Sequence, residues 1–356
     1  RSTVWGGAGN DRIEAGYGVD HISGGAGDDI ITNAGTDIGE TDMLKGDDGN
    51  DVIHGGSGLA LIFGGRGQDY LMTGPDGSEI RAGLDNDFLI GGEGADILFG
   101  NEGDDWIEGR GAFDYIAGDN GELFFNSTII GHDVLNGGSG DTDYDADSGD
   151  DIMFGGEGIQ KFIGMWGHDW VIYKGQQTPV EADMRIEVFT TLPLEVLRDR
   201  FSQVEAVSGW IYNDWIAGDD RTSVADAGGA VADPTPETNF QNNELDQAGI
   251  ARIAGLDQIV KSDLLQTVQY WADGSGATKL AFIGGNILLG GGGSDVIEGR
   301  GGDDIIDGDR WLNVRVTGTA KDGATFSVNS LDDDVTLGGV TKKLTSWMIE
   351  GAINPG

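Results

Sequence analysis

"GGAGDDIIT" (residues 24–32) places three glycines ahead of two aspartates and closes on a pair of isoleucines and a threonine. The same nine-residue phrase precedes it as "GGAGNDRIE" (6–14) and "AGYGVDHIS" (15–23). The shared frame is G-G-x-G-x-D-x-U-x, with U a large apolar residue. Its sixth position holds Asp11, Asp20, Asp29, Asp51, Asp69, Asp87, Asp96, Asp105, Asp114 and Asp169. Near the end of the chain, "GGGGSDVIE" and "GRGGDDIID" add Asp295 and Asp304. The eighth position is Ile, Leu, Met, Phe or Val from Ile13 to Val171, and again at Ile297 and Ile306. A solvated acidic linker has no reason to keep an apolar residue in phase through so many turns.

The frame is stretched in three places. "NAGTDIGETDMLK" (33–45) has four extra residues before Asp42. The stretches 118–136 and 137–154 are longer still and end in "HDVLN" and "DDIMF", which bring Asp133 and Asp151 into the sixth position. Such insertions fit surface loops on a repeating scaffold.

The repeat implies a fold. Six residues of turn and three of strand make half a coil, so two repeats close one coil. Side chains of a strand alternate faces, which sends position eight inward and positions seven and nine outward. The expected fold is all-β: a parallel β-roll with an inserted strand/helix region and a C-terminal β extension. The glycines permit backbone angles closed to other residues, and they let carbonyl oxygens converge.

Charge gives the repeat its chemistry. The 356 residues carry 62 acidic against 21 basic side chains, a formal net charge of −41, and 65 glycines. A chain so acidic repels nucleic acid and stays disordered unless something neutralises it. Cysteine is absent, which excludes disulfides and thiolate ligation. Carbonyl and carboxylate oxygens are the ligands Ca²⁺ prefers. No apolar run approaches the ~20 residues needed to span a bilayer.

On these residues the sequence resembles the repeats-in-toxin (RTX), haemolysin-type calcium-binding nonapeptide family, over 6–172 and 284–308. The handed-down features of that family are a parallel β-roll and calcium ions held between turns two repeats apart. Each ion takes sixth-position aspartates of adjacent turns and carbonyls of positions one and three. Here the resemblance implies the aspartates above with the carbonyls of Gly6, Ala8, Gly24, Ala26, Gly46, Asp48, Gly64, Arg66, Gly91, Glu93, Gly100, Glu102, Gly290 and Gly292, and roughly ten ions. It also implies type I secretion of an unfolded chain that folds outside the cell. Extracellular-type sites bind with roughly 10⁻⁴–10⁻³ M affinity, so they are empty in cytosol and filled outside.

The chain begins "RSTVWGGAGN", inside a repeat, as expected of part of a larger polypeptide. The expected organisation is a roll over 1–172, an insert over 173–282, a second repeat block over 283–310 and a β-rich extension over 311–356. Within the insert, "VEADMRIEVF" (180–189) alternates as a strand, and "VSGWIYNDWIAGDD" (207–220) reads as a degraded repeat with Asp214 sixth and Ile216 eighth. Residues 244–271 set Leu245, Ile253, Leu256, Ile259, Val260 and Leu264 at helical spacing, which predicts one or two helices. "RWLNVRVTG" and "ATFSVNS" predict strands about an "AKDG" turn. The run 284–316, with "RFSQVEAVSG" (200–209), more weakly resembles the tails of bacterial exoproteins related to animal-type haem peroxidases, which would put a catalytic domain upstream.

No catalytic constellation emerges within the chain. H-E-x-x-H, G-x-S-x-G and G-x-x-x-x-G-K-[ST] are all missing. The paired carboxylates are explained by the repeat without a glycosidase pair, and no threonine lattice suggests ice binding. Self-association into a matrix or filament is the structural alternative. An outward apolar patch of Tyr70, Met72, Phe88, Ile90 and Trp106 is expected to lie under the 173–282 insert, with a docking surface for another domain or another copy as the alternative. Successive repeats fall on opposite edges, so the aspartates form two series. The first edge carries Asp11, Asp29, Asp51, Asp69, Asp87 and Asp105. The second carries Asp20, Asp42, Ala60, Ser78, Asp96 and Asp114, and a missing or weak site is expected near residues 55–78, with Asp76 as a candidate to compensate.

Overall fold

The computed structural model describes residues 1–37, 39–121, 131–220, 244–269 and 278–356. It divides into two compact units. One comprises Arg1–Asn120, Asn136–Asp141 and Asn313–Gly356; the other comprises Gly121–Leu135 and Thr142–Leu312. Residues 122–130 of the stretch 118–136 and the polar loop "DAGGAVADPTPETNFQNN" lie outside the described residues, as do residues 270–277.

In the first unit successive repeats alternate between two parallel sheets, as the frame predicts. One sheet runs through Ser2–Ala8, Asp20–Ala26, Thr41–Asp48, Leu59–Arg66, Glu79–Leu84, Ile97–Glu102 and Asp114–Ala117. The other runs through Arg12–Glu14, Ile30–Thr32, Val52–His54, Tyr70–Met72, Phe88–Ile90 and Trp106–Glu108. Register pairs equivalent positions of alternate repeats: Ile13 with Ile31, Ile53 with Leu71, Leu89 with Ile107. The eighth-position side chains Ile31, Leu44, Ile53, Ile62, Leu71, Ile80, Leu89, Leu98, Ile107 and Ile116 are fully buried between the sheets. Each such burial stabilises by about 1.5–3 kcal/mol. Turns need the left-handed region: Gly25 has φ +117° and a side chain there would strike the Gly7 carbonyl. Non-glycine residues at position two with the same conformation include Asp47 (φ 78°) and Asn101 (φ 75°), residue types that tolerate it, and Arg110 (φ 80°), which does so less readily.

The C-terminal segment of the first unit begins with the expected hairpin, Val316–Thr319 paired antiparallel with Thr325–Val328. A second hairpin, Asp334–Leu337 with Val340–Lys343, and a short helix, Leu344–Ile349, were not foreseen. The signal was present: Gly338 and Gly339 both take positive φ, as a tight two-residue hairpin turn requires.

This segment corrects the expectation for the outward patch. Tyr70, Met72, Ile90 and Trp106 are buried, and within their own unit the cover comes from 313–356. The Tyr70 hydroxyl donates to the Leu331 carbonyl (3.0 Å). Glu108, 2% exposed, accepts from Trp106 Nε1 (2.8 Å), the Ser330 hydroxyl (2.6 Å) and the Leu331 N–H (2.8 Å). Arg110 pairs with Asp332 at 3.0 Å.

The second unit repeats the plan less regularly. Thr142–Asp145, Gln160–Ile163 and Arg200–Ser202 lie in one parallel sheet, and Ile152–Phe154, Trp170–Ile172, Ala206–Ser208, Ile287–Leu289 and Ile305–Asp307 in another. A third sheet joins Glu181–Asp183, Trp215–Ala217 and Val296–Glu298, so 207–220 does contain a coil strand. Residues 200–209 form strands of the same coils, so that their pattern belongs to the roll. Ile306, at the last strand of its sheet, remains 49% exposed.

The helical expectation for 244–271 is largely corrected. Only Gln247–Arg252 is α-helical, with one 3-10 turn at Leu256–Gln258. Ile253 is extended (φ −103°, ψ 109°) and Gly255 is left-handed (φ 85°), which stops the helix. Leu245–Asp246 and Gln266–Gln269 instead flank Thr278–Phe282 in an antiparallel sheet. Of 180–189 only Glu181–Asp183 is strand.

Candidate metal centre

The sixth-position aspartates do more than add charge. Along the stacks most of them point one oxygen at a main-chain N–H one coil back. On the first edge Asp29 Oδ1 accepts from Asp11 N (2.7 Å), Asp51 from Asp29 (2.7 Å), Asp69 from Asp51 (2.8 Å), Asp87 from Asp69 (2.8 Å) and Asp105 from Asp87 (2.7 Å). On the second edge Asp42 accepts from Asp20 (2.7 Å) and Asp114 from Asp96 (2.9 Å). In the second unit Asp151 accepts from Asp133 (2.7 Å) and Asp169 from Asp151 (3.0 Å). Asp295 accepts from Asp214 (2.9 Å) and Asp304 from Asn286 (2.8 Å).

The remaining oxygens reveal the candidate sites. Oδ2 of Asp11, Asp20, Asp29, Asp51, Asp69, Asp87 and Asp114 is buried with no hydrogen-bond partner among the described residues. A buried carboxylate oxygen left unsatisfied is costly. On most coils it faces the first glycine of its own repeat. A Cβ added at Gly6 would meet Asp11 Oδ2 at 2.6 Å and the Gly24 carbonyl of the next coil at 2.5 Å. At Gly24 and Gly46 the same point lies 2.9 Å from Gly46 O and 2.7 Å from Gly64 O, with Asp29 or Asp51 Oδ2 against it. Gly64 and Gly100 repeat the arrangement with Asp69 and Asp105, and Gly290 with Asp295 (2.5 Å) and Gly308 O (2.8 Å). Glycine is needed there because the cradle between carboxylate and carbonyl holds no room for a side chain.

Among the described residues no three His, Cys, Asp or Glu side chains gather at one point. A cation would therefore depend on main-chain carbonyls. An all-oxygen donor set of unpartnered carboxylate and carbonyl matches calcium, which takes six to eight oxygens in flexible geometry. Position-three carbonyls are partly engaged already. Those of Ala26, Asp48 and Arg66 accept from Gly9, Gly27 and Gly49 N–H at 2.7–2.8 Å, leaving one lone pair each. Ala8 and Glu102 sit in the same ladders, opposite Ala26 and Leu84, while Glu93 and Gly292 lie in turns.

Residues that the sequence did not single out complete the stacks of the second unit. Asp169 N donates to Glu205 (2.8 Å), Gln160 N to Asp199 (2.9 Å) and Thr142 N to Gln160 (3.0 Å). Glu205 and Asn286 replace the sixth aspartate in coils whose glycine turns are eroded. Their signal was the buried apolar residue two places on, Val207 or Leu288.

Burial holds the carboxyls of Asp51, Asp69, Asp87 and Asp114 far above the ordinary range. Desolvation, with neighbouring carboxylates adding to it, pushes Asp51 and Asp114 up to about 7, Asp69 to about 8 and Asp87 to about 10. Without a cation the folded chain thus binds more protons than the unfolded chain, whose carboxyls titrate near 3.8. That contribution to stability is full below about pH 4 and is lost as pH rises through about 7 to 10. In chelator, the β-signal in circular dichroism should be greater at pH 5 than at pH 8, whereas with millimolar calcium pH 8 should be at least as favourable. A metal-free chain more ordered at pH 8 would contradict the electrostatics.

The family model for the RTX calcium-binding nonapeptide repeat matches residues 3–37, 39–71, 73–107, 81–116, 99–122, 145–174 and 281–310, together half of the chain. No curated protein and no solved structure matches it.

Proposed function

The chain belongs to the RTX calcium-binding nonapeptide repeat family, and from that premise we propose that it is a calcium-folded β-roll module of an exported protein. Calcium binding belongs to the repeat; the role in export, folding outside the cell and structural display is the inference. The carrying observation is the first-edge stack, where Asp11, Asp29, Asp51, Asp69 and Asp87 each keep a buried Oδ2 without a hydrogen bond.

On this proposal the first edge holds an unbroken row of ions. Each lies beside the sixth aspartate and the position-one carbonyls of its own and the next coil, with Asp105 ending the row. Asp20 and Asp114 contribute on the second edge. Asp133, Asp151, Asp169, Asp295 and Asp304 do so in the second unit, with Glu205 and Asp214 as additional ligands. The polypeptide leaves the cell unfolded where calcium is scarce and folds where it is plentiful. The chain itself contributes structure, and catalysis would belong to other parts of a larger polypeptide.

Asp69 provides the test. Its side chain closes the ladder to Asp51 and faces the Gly64 cradle. Asp69→Ala should lower bound calcium by one to two ions per chain in equilibrium dialysis. It should also lower Tm by several degrees in calcium, more than in chelator at pH 5. Unchanged stoichiometry would remove the first-edge assignment.

A further inference from the structure

We propose that the second edge of the first unit is closed by protein donors instead of calcium between Asn33 and Asp96. The side-chain amide of Asn33 stands in for a cation. This rests on the proposal that calcium fills the first-edge cradles.

The two edges differ at the residue that opens each coil. On the first edge the coils that carry Asp11, Asp29, Asp51 and Asp69 open on Gly6, Gly24, Gly46 and Gly64, and that of Asp87 opens on Ala82; none of these residues puts a polar side chain into the cradle. In the coil that carries Asp42 the opening residue is Asn33, which is 6% exposed. Asn33 Nδ2 donates to Asp42 Oδ2 at 2.7 Å and to the Gly55 carbonyl of the next coil at 3.2 Å. These are the equivalents of the two acceptors that flank the glycine cradles on the first edge. A divalent ion draws such oxygens together by charge; an amide nitrogen with two hydrogens satisfies both by hydrogen bonding. Asp42 Oδ2 is accordingly absent from the oxygens left unpartnered, although Asp20, one coil back, keeps one.

The following coils continue the substitution by other means. At Gly55 the cradle is apolar: an added Cβ would meet Ala60 Cβ at 3.0 Å and Ile62 Cδ1 at 3.3 Å, with no carboxylate near. The ladder there is kept by the Ser78 hydroxyl, which accepts from Ala60 N at 3.1 Å. Asp76, the candidate to compensate, turns an oxygen to Gly58 N–H at 2.8 Å. Asp96 Oδ1 accepts from Ser78 N (2.7 Å) and its Oδ2 from Gly92 N (2.7 Å). Asn33 Oδ1, the other end of the amide, is itself buried without a partner, and among the described carboxylates from Asp42 onward on this edge an unpartnered buried oxygen returns at Asp114. Three different chemistries, amide, methyl and hydroxyl, thus make the same stretch of edge independent of metal. These coils then need calcium on one side only, and they are the part of the roll best able to hold together before the first-edge ions arrive.

Calcium stoichiometry of the full chain, measured by equilibrium dialysis with Asp42→Asn, Asn33→Gly and Asp69→Ala beside the parent, tests the inference. Asp42→Asn should leave the number of bound ions unchanged, because that carboxylate faces an amide. Asn33→Gly should gain about one ion by emptying the cradle. If Asn33→Gly fails to fold, Asp42→Asn still decides. Loss of an ion in Asp42→Asn overturns the inference, as does a folded Asn33→Gly that gains none. Asp69→Ala separates the two levels. If it loses calcium while Asn33→Gly gains none, the amide's role fails and the calcium row stands. If it loses none, the row fails and the inference falls with it.

Discussion

In excess chelator at pH 7.5 the chain should give the circular dichroism of a largely disordered polypeptide, and millimolar Ca²⁺ should restore a β-rich spectrum. The size of the expected change follows from two magnitudes. The net charge is −41, and folding stacks Asp29, Asp51, Asp69 and Asp87 in consecutive coils with almost no exposure. Such a column cannot be ionised and buried together without a counter-charge. Calcium at ten times its dissociation constant stabilises the folded state by about 1.4 kcal/mol per site. On the order of ten sites give ~14 kcal/mol, comparable to the whole stability of an ordinary domain. Magnesium should substitute poorly, because it demands near-ideal octahedral geometry and keeps its waters. An equally β-rich spectrum in excess chelator at pH 7.5 would show that the apolar column alone folds the chain.

The sequence made the roll legible because each nonapeptide carries its own instructions. Turn glycines, an aspartate and an inward apolar residue lie within nine positions, so register survives even the four-residue insertion before Asp42. Ile31 and Ile53 pair despite it. The ladder of carboxylates onto main-chain N–H groups was not legible, though the charge that fills it was. Asn33 was passed over for a related reason. Beside Asp42 its amide has a partner only once Gly55 of the next coil is placed. The short helix at Gln247–Arg252 shows the reverse error. Apolar spacing over 244–264 matched a helix, but the left-handed Gly255 and the sheet with Thr278–Phe282 decide the local structure. Least visible of all was the cover on the patch, since its bonds join residues more than two hundred positions apart.

That cover supplies the other large expected effect. Leu331→Asp should lift the C-terminal segment off the roll without unfolding it, so that binding of a hydrophobic dye rises several-fold in calcium while the far-ultraviolet spectrum holds. Leu331 is fully buried, and its N–H and carbonyl are the groups that bond Glu108 and Tyr70. A carboxylate there would be desolvated beside Glu108, whose own carboxyl burial already pushes up. Placing such a charge without a partner costs several kcal/mol. The surface it releases is large. Tyr70, Met72, Ile90 and Trp106 lose their cover, and burial of such side chains contributes about 1.5–3 kcal/mol each. The roll keeps its shape because its inner column, from Ile31 to Ile116, is packed between the two sheets and owes nothing to residues 313–356. Deleting 221–282 should leave the dye signal of this patch unchanged. The geometry of the patch would be refuted by the opposite pattern, dye binding raised by that deletion and untouched by Leu331→Asp.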